Sequence, residues 1–189
     1  EWLAVTTPYL EWTTAASVSP ITGYSWSTNG APDCVVDAPA ANVTLPALSN
    51  GTVTFQVRAV DAAGNCGPVL TRELLVDGQA EPITGLAAYE FQSGPIIPAA
   101  TWQPLNRPHY GWSVPASASP LAGYSFAVDA AADCVVDTAL PRVTPPALTD
   151  GVHVFEVRAV DTAGNCGQAA SFTVWVDAAL LDALQLKVG

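Results

Sequence analysis

Residues 57–67 read VRAVDAAGNCG, and residues 157–167 read VRAVDTAGNCG. The two segments differ at a single position and lie one hundred residues apart. At that spacing, residues 2–77 align with residues 102–177 without a gap, and 35 of the 76 aligned positions are identical. Self-similarity at a fixed period indicates that one structural unit is used twice. The quoted segment is therefore interpreted as part of a repeated fold rather than as a catalytic motif.

The period also sets the predicted domain boundaries. Residues 79–100 precede the start of the second repeat at Trp102, but nothing equivalent precedes Trp2. The first repeat is therefore expected to lack its N-terminal strand, and the chain to be a window from a longer array. The predicted boundaries are residues 1–78 for the first repeat, 79–177 for the second, and 178–189 for the start of a following repeat or a tail.

Hydrophobic alternation predicts β-strands in both repeats. Residues 51–60 alternate between an apolar and a polar face, as in a half-buried strand. The apolar face comprises Val53, Phe55, Val57 and Ala59, and its copy retains Phe155, Val157 and Ala159. Further strands are predicted at Tyr9–Thr13, Gly23–Ser27, Val43–Leu48 and Leu70–Val76. Short strands separated by turn-forming residues favour a β-sandwich.

The C-terminal segment ALLDALQLK (residues 179–187) has two interpretations. Its Leu and Ala content is compatible with a short helix, and its place in the repeat is that of a displaced strand of a next unit. The full tail ALLDALQLKVG (residues 179–189), with AAYEFQSGPII (residues 87–97), is also the best candidate for the sticky end of a polymerising subunit that adds a strand to a neighbour.

Several motifs recur at the same places in both repeats. The first repeat has Trp12, PITGYSW, Leu48, Gly51 and FQVRAVDAAGNCG, and the second has Trp112, PLAGYSF, Leu148, Gly151 and FEVRAVDTAGNCG. Together they resemble the fibronectin type III-like and bacterial-type Ig-like tandem repeats of large extracellular surface proteins. The resemblance implies an all-β chain of two tandem Ig-like or fibronectin type III-like β-sandwiches. It also implies that DAAGN forms a tight turn in which Asp61 caps backbone N–H groups and Gly64 or Asn65 adopts positive φ.

The cysteines occur as one pair per repeat, Cys34 with Cys66 and Cys134 with Cys166. Four cysteines allow three pairings, and the duplication favours one disulfide within each repeat. Each bridge would close a loop of about 33 residues, stabilise its unit by roughly 3.5 to 4 kcal/mol, and imply an oxidising, extracellular or cell-surface compartment. The alternatives are buried free thiols or zinc, and zinc is disfavoured because two cysteines without a nearby histidine leave its tetrahedron half empty.

No cofactor is expected, and the alternative is calcium, for which acidic residues near the turns form a weak candidate site. Their carboxylates are hard oxygen ligands, although turn capping explains each of them without a metal and no D-x-D-x-D-G loop is present. The candidates are Asp33, Asp37 and Asp61 with Asn65, and their copies Asp133, Asp137 and Asp161 with Asn165.

Two N-x-[ST] sequons, at Asn42 and Asn50, are candidate glycosylation sites if the host has the machinery. Both flank the predicted strand at Val43–Leu48, where loops should be exposed. The second repeat has Arg142 and Asp150 at these places, so the fold does not require asparagine there.

The net charge of −11 disfavours nucleic acid and anionic lipid surfaces as partners. No apolar run of about 18 residues is present, so no membrane insertion is expected in this segment.

No phosphate loop, nucleophile elbow or zinc-protease motif occurs. The two histidines, His109 and His153, are both confined to the second repeat, which excludes a shared catalytic role. The chain is therefore predicted not to be an enzyme.

These observations favour a non-catalytic module of a repetitive extracellular protein. It would act as a spacer, an adhesion stalk or a building block of a surface filament, with neighbouring repeats, and cell-surface proteins or glycans, as partners. The alternatives are a carbohydrate- or ligand-binding module and an accessory domain of a secreted hydrolase.

Trp12 and Trp112 are expected in the cores. Trp2 and Trp102 are expected to pack between neighbouring units, and their alternative role is a sugar-stacking platform.

Overall fold

A computed structural model describes residues 1–14 and 16–179, and every regular element in these ranges is a β-strand. The all-β fold class is confirmed. In the part of the chain that the structure describes, no helix has the length and apolarity needed to cross a bilayer. The predicted helix or displaced strand in residues 179–187 lies, apart from Ala179, outside the described residues.

The strands are numbered in chain order. The first repeat contains β1 (Trp2–Leu3), β2 (Tyr9–Glu11), β3 (Ile21–Ser27), β4 (Asn42–Thr44), β5 (Gly51–Asp61) and β6 (Leu70–Val76). The second contains β7 (Thr84–Tyr89), β8 (Ile96–Ile97), β9 (Trp102–Gln103), β10 (His109–Ser113), β11 (Leu121–Val128), β12 (Arg142–Val143), β13 (Gly151–Asp161) and β14 (Ala170–Val176).

The described chain divides into two compact units. The first unit is formed by Glu1–Gln79, Ala118–Pro120 and Thr162–Asn165, and the second by Ala80–Ser117, Leu121–Asp161 and Cys166 onward.

The first unit is a sandwich of one four-stranded and one two-stranded sheet. The larger sheet has the order β1-β6-β5-β3, in which β1 runs parallel to β6 and the other pairs are antiparallel. The smaller sheet pairs β2 with β4, with Leu10 opposite Val43. The inward faces of both sheets supply one core, whose buried members are Tyr24, Leu45, Phe55, Val57, Leu74 and Val76.

The second unit repeats the larger sheet in the order β11-β13-β14-β9. Its other sheet has four strands, in the order β12-β10-β7-β8, so β7 and β8 have no counterpart among the described strands of the first unit. The buried core residues are Ile83, Ala88, Ile97, Tyr110, Trp112, Tyr124, Phe155, Val157, Ala159, Val174 and Val176.

The two long central strands follow the predicted alternation. In β5 the side chains of Phe55 and Val57 are buried and those of Thr52 and Thr54 are exposed. Two predicted strands are shorter than expected. β2 ends at Glu11. β4 ends at Thr44, immediately before the buried Leu45, because the next residue, Pro46, lacks the N–H that a continued ladder needs.

Candidate functional site

A disulfide lies at the same place in each unit. Cys34 is bonded to Cys66, and Cys134 to Cys166, with Cα–Cα distances of 6.0 and 5.7 Å. This is the pairing that the duplication favours. In the first unit the bridge joins the loop after β3 to the turn after β5, and in the second it joins the loop after β11 to the turn after β13. Each bridge ties two cysteines that are 32 residues apart.

The turn after β5 is organised by the Asp61 carboxylate. Its Oδ1 accepts hydrogen bonds from the backbone N–H groups of Ala63 at 3.0 Å and Asn65 at 2.8 Å, and its Oδ2 accepts one from the Asn65 side chain at 3.1 Å. Gly64 has a φ of +83°, and its copy Gly164 a φ of +91°, a conformation that glycine adopts without steric cost. This carboxylate therefore shapes the turn that carries Cys66.

Asp33 and Asp37, in the loop after β3, also accept hydrogen bonds from nearby groups. Asp33 Oδ1 accepts the backbone N–H of Val35 at 2.9 Å and the Ser25 hydroxyl at 3.2 Å, and both bonds lower the pKa of Asp33. Asp37 Oδ2 accepts the backbone N–H of Trp26 at 2.9 Å. In the second unit Asp133 and Asp137 make the same bonds, to Val135, Ser125 and Phe126.

Asp33, Asp37 and Asp61, which the sequence offers as calcium ligands, are each bonded to nearby protein groups instead. Across residues 1–14 and 16–179, no group of three or more His, Cys, Asp or Glu side chains is placed to hold a metal ion. Asp33, Asp37 and Asp61 therefore do not converge as one ligand set, and calcium binding stays a prediction.

The two sequons have different surroundings. Asn42 is exposed on β4, opposite Glu11 of β2. Asn50 donates its amide N–H to Asp77 Oδ1 at 3.0 Å and accepts the Gly78 N–H at 2.9 Å. Its copy Asp150 accepts the Ala178 N–H at 2.7 Å, so this position ties the start of a central strand to the residues after the next strand. Glycosylation at either asparagine stays a prediction.

The histidines of the second unit are used in two unrelated contacts. His109 Nδ1 lies 2.7 Å from the Thr144 hydroxyl. His153 Nδ1 lies 2.6 Å from Asp129 Oδ2, and its Nε2 lies 2.8 Å from the Thr149 carbonyl oxygen. The bond with Asp129 raises the pKa of His153 and lowers that of Asp129. Sequence reasoning missed this pair, because nothing in a separation of 24 residues marks the two as neighbours.

The recurring tryptophans divide into core and edge residues. Trp12 meets Tyr24 edge-on at 5.2 Å between ring centres, and Trp112 meets Tyr124 in the same way at 5.1 Å. Trp102 is 59% exposed and lies 5.5 Å from Trp175, with 59° between the ring planes. These two rings form one exposed aromatic edge on the second unit but not a flat platform.

An open groove along β2 is a feature of the first unit that the sequence did not predict. The groove has a volume of about 380 Å³ and lies between the two sheets. Its walls comprise Leu10, Glu11, Trp12, Phe55, Val57, Leu70, Thr71 and Arg72.

Solved structures similar to this chain include fibronectin(III)-like modules of Clostridium thermocellum CbhA, at 18% identity, covering 92% of this chain and 88% of that chain, with a TM-score of 0.43. They also include the D00-D0 domain of intimin, at 13% identity, with coverages of 90% and 94% and a TM-score of 0.37. A third is human protocadherin-24 EC1-2, at 15% identity, with coverages of 93% and 93% and a TM-score of 0.34.

No protein-family model and no curated protein sequence matches the chain.

Proposed function

We propose that the chain is a non-catalytic structural module of a repetitive extracellular protein, in which it serves as a spacer or adhesion stalk. The observation that carries the proposal is that the repeated aspartates and cysteines of the chain make structural contacts. Asp33 and Asp37, like their copies Asp133 and Asp137, accept backbone N–H groups of a loop and a strand, and the cysteines tie each sandwich. The same residues therefore serve the same structural purpose twice.

Two features support an extracellular setting. Disulfides persist in oxidising compartments, and a bridge in each small sandwich compensates for a limited core. The excess of acidic over basic residues, 17 against 6, also weakens non-specific attraction to anionic polymers. Neighbouring repeats of the same kind are the proposed partners.

Electron microscopy of the natural protein that contains this chain tests the proposal. We expect a beaded fibre or stalk in which units of this size recur. A compact particle in which the two units are an appendage of one large catalytic domain would contradict it and would favour the accessory-domain alternative.

A carbohydrate-binding module is the second candidate, and the exposed Trp102–Trp175 edge favours it. A glycan array with the full chain tests it, and Trp102→Ala is the matched variant. Binding that is lost in Trp102→Ala would support this candidate. An array without any signal, or a signal that Trp102→Ala leaves unchanged, would contradict it.

A further inference from the structure

The β12-β10-β7-β8 sheet of the second unit carries a cleft of about 400 Å³ on its outer face. In β10 the side chains of Tyr110 and Trp112 belong to the core, so His109 and Gly111 lie on the opposite, outer face. All the residues that line the cleft belong to the second unit. Its polar and aromatic lining includes Tyr89, Gln92, Ser93, His109, Ser113 and Arg142.

Arg142 gives this cleft a positive charge. The arginine is exposed, and its guanidinium makes no ion pair or hydrogen bond with any residue that the structure describes. None of the described residues that line the cleft is acidic, although the chain has 17 acidic and only 6 basic residues. The groove of the first unit, by contrast, contains both Glu11 and Arg72. The cleft is therefore a positive site on a negative molecule, and its charge complements an anion.

His109 adds a hydrogen-bonding nitrogen to the cleft. The residue is only 8% exposed, and its Nδ1 lies 2.7 Å from the Thr144 hydroxyl. Its Nε2 makes no hydrogen bond within the described part of the chain, and it is not one of the atoms there that are both buried and unpaired, so it is open to the cleft. A Thr144 hydroxyl that donates to Nδ1 leaves the ring proton on Nε2, which is then a donor.

The charge of Arg142 is felt at this imidazole. Burial, and then the positive charge of Arg142, lower the pKa of His109. The two side chains come from neighbouring strands, β12 and β10, and line the same cleft. An anion between them would therefore meet the guanidinium and the Nε2–H group together.

Gly111 and Tyr89 shape the cleft for a ring. Gly111 is paired with Arg142 across β10 and β12, and its missing side chain leaves the floor of the cleft open. A Cβ on Gly111 would lie 3.5 Å from Cε2 of Tyr89, so the tyrosine ring stands directly beside this floor. An aromatic ring offers an apolar surface against which the C–H face of a sugar ring can pack.

The rest of the lining supplies hydroxyl and amide groups. Gln92, Ser93 and Ser113 carry side chains that both donate and accept hydrogen bonds, as sugar hydroxyls do. Ser93 has a φ of +64°, a conformation that glycine adopts without steric cost and other residues adopt at a cost. A serine kept in this conformation at the wall of a cleft fits a role for its side chain there.

Size and charge favour a single acidic sugar over an acidic peptide. The volume of about 400 Å³ is near the lower end of the range of roughly 300–1,000 Å³ that is typical of small-molecule sites. The planar fork of an arginine binds one carboxylate through two parallel N–H···O bonds. The net charge of −11 repels a chain with many carboxylates, whereas a sugar with one carboxylate needs only one guanidinium.

The first unit does not repeat this site. At the one-hundred-residue spacing, Glu11 takes the place of Gly111 and Asn42 the place of Arg142, and Glu11 lies opposite Asn42 in the β2–β4 pair. A carboxylate thus replaces the open floor, and a neutral amide replaces the guanidinium. The site therefore belongs to what distinguishes the second unit and not to the shared frame.

We propose that this cleft of the second unit binds a sugar that carries one carboxylate, such as a uronate. Arg142 binds the carboxylate, and His109 Nε2 donates a hydrogen bond to it. The Tyr89 ring packs against the sugar ring, and Gln92 and Ser93 bind its hydroxyls. The proposal goes beyond the spacer function, which needs no ligand, and it concerns a surface other than the Trp102–Trp175 edge.

Isothermal titration calorimetry of the full chain tests the ligand class. The probes are methyl β-glucuronide, methyl β-glucoside, which has the ring without the carboxylate, and acetate, which has the carboxylate without the ring. We expect saturable binding of the glucuronide that is at least tenfold tighter than binding of either control. No saturable binding of the glucuronide, or equal binding of the glucoside or of acetate, would overturn the proposal.

Substitutions in the cleft test the assigned residues. Arg142→Ala should weaken glucuronide binding at least tenfold, and Arg142→Lys should recover it only in part, because lysine keeps the charge but not the fork. Arg107→Ala is the matched control, because it removes the charge of another exposed arginine of this unit that does not line the cleft. It should leave binding within about twofold, and equal losses in Arg107→Ala and Arg142→Ala would overturn the site.

Gly111→Glu copies the first unit into the second. The new carboxylate fills the floor and pairs with Arg142, so we expect glucuronide binding to be lost. Unchanged binding in this variant would overturn the placement of the ligand. Thermal unfolding of each variant checks that the second unit remains folded.

A tetraglutamate peptide tests the competing class of ligand. We expect it to bind at least tenfold more weakly than the glucuronide at the same ionic strength. Tighter binding of the peptide would overturn the sugar assignment and would make the cleft a site for acidic peptides. A negative result in any of these titrations leaves the spacer function intact, since electron microscopy of the natural protein tests that separately.

Discussion

The first and second units share a frame but differ in how completely each sandwich is filled. Both place a tryptophan edge-on against a tyrosine, at 5.2 and 5.1 Å, and both carry one disulfide. The second unit adds a ring stack between Tyr110 and Phe155 at 3.9 Å, where the first has Leu10. It also adds β7 and β8. The comparison teaches that the identical residues specify strands and turns, while the differing ones set the size of the core and the closure of the edge.

Removing the disulfides tests how far each unit depends on its core, and we expect the largest effect here. Cys34→Ser with Cys66→Ser, and Cys134→Ser with Cys166→Ser, should each cost about 3.5 to 4 kcal/mol in the free energy of unfolding. Because the first unit has the smaller core, it should lose its cooperative transition at a lower temperature than the second. Differential scanning calorimetry would show this. A transition temperature that is lower in the second unit than in the first, with both bridges removed, would contradict the comparison.

Glycine at the bulge near the start of β3 and β11 tests the shared frame. A Cβ on Gly23 would lie 2.8 Å from the Ala38 carbonyl oxygen, and one on Gly123 would lie 2.7 Å from the Thr138 carbonyl oxygen. A valine side chain lies closer still at each site, Val36 at Gly23 and Val136 at Gly123, and the carbonyl oxygens cannot move aside as a side chain can. Gly23→Ala and Gly123→Ala should therefore each cost about 2 to 3 kcal/mol. Because Gly123 also has a φ of +153°, chemical denaturation should show the larger loss for Gly123→Ala, and a smaller loss there than in Gly23→Ala would show that the frames differ.

Tyr110→Leu converts one feature of the second core into that of the first. The substitution removes the stacked ring from a fully buried site, so we expect a loss of about 1 to 2 kcal/mol. Urea unfolding of the second unit measures it. Tyr9→Leu, at an exposed position of the first unit, is the control and should change stability little. An equal loss in both variants would contradict the role assigned to the stack.

The Asp129–His153 pair gives the second unit a pH dependence that the first lacks, since Val53 replaces His153 there. Because the folded pKa of His153 is raised, its contribution is full below about pH 6.5 and is lost as the pH rises through the folded value. The lowered pKa of Asp129 gives a contribution that is full above about pH 4 and is lost as the pH falls.

The expected effect is small, because the Asp129 side chain is 49% exposed and solvent screens the pair. We expect the second unit to lose less than about 1 kcal/mol of stability between pH 6 and pH 8. His153→Val should remove this slope, and melting curves across that range measure it. A slope that persists in His153→Val would assign the dependence to other groups.

Much of the fold was readable from the sequence because its signals are local or repeated. The alternation of residues 51–60 predicts the buried face of β5, and the duplication favours the disulfide pairing. β7 and β8 were not predicted as strands, because TGLAAY (residues 84–89) offers weak alternation and β8 spans only two residues. The turn-capping role of Asp61 was also predicted, and the structure shows the bonds.

The remaining features depend on contacts that are distant in sequence. The Asp129–His153 pair and the packing of Tyr110 on Phe155 arise only when separate strands are brought together. The open groove became visible only when β2 could be compared with β10. Repetition in the sequence predicted the shared frame, whereas the difference between the copies required the structure.

Hydrogen–deuterium exchange of β2 and β10 tests the central comparison most directly. The full chain is the sample, and β5 and β13 serve as internal references. The account predicts that amides of residues 9–11 exchange clearly faster than those of residues 109–113, since β2 is paired on one side and β10 on both. Equal protection of the two segments would contradict the claim that the first unit is open where the second is closed.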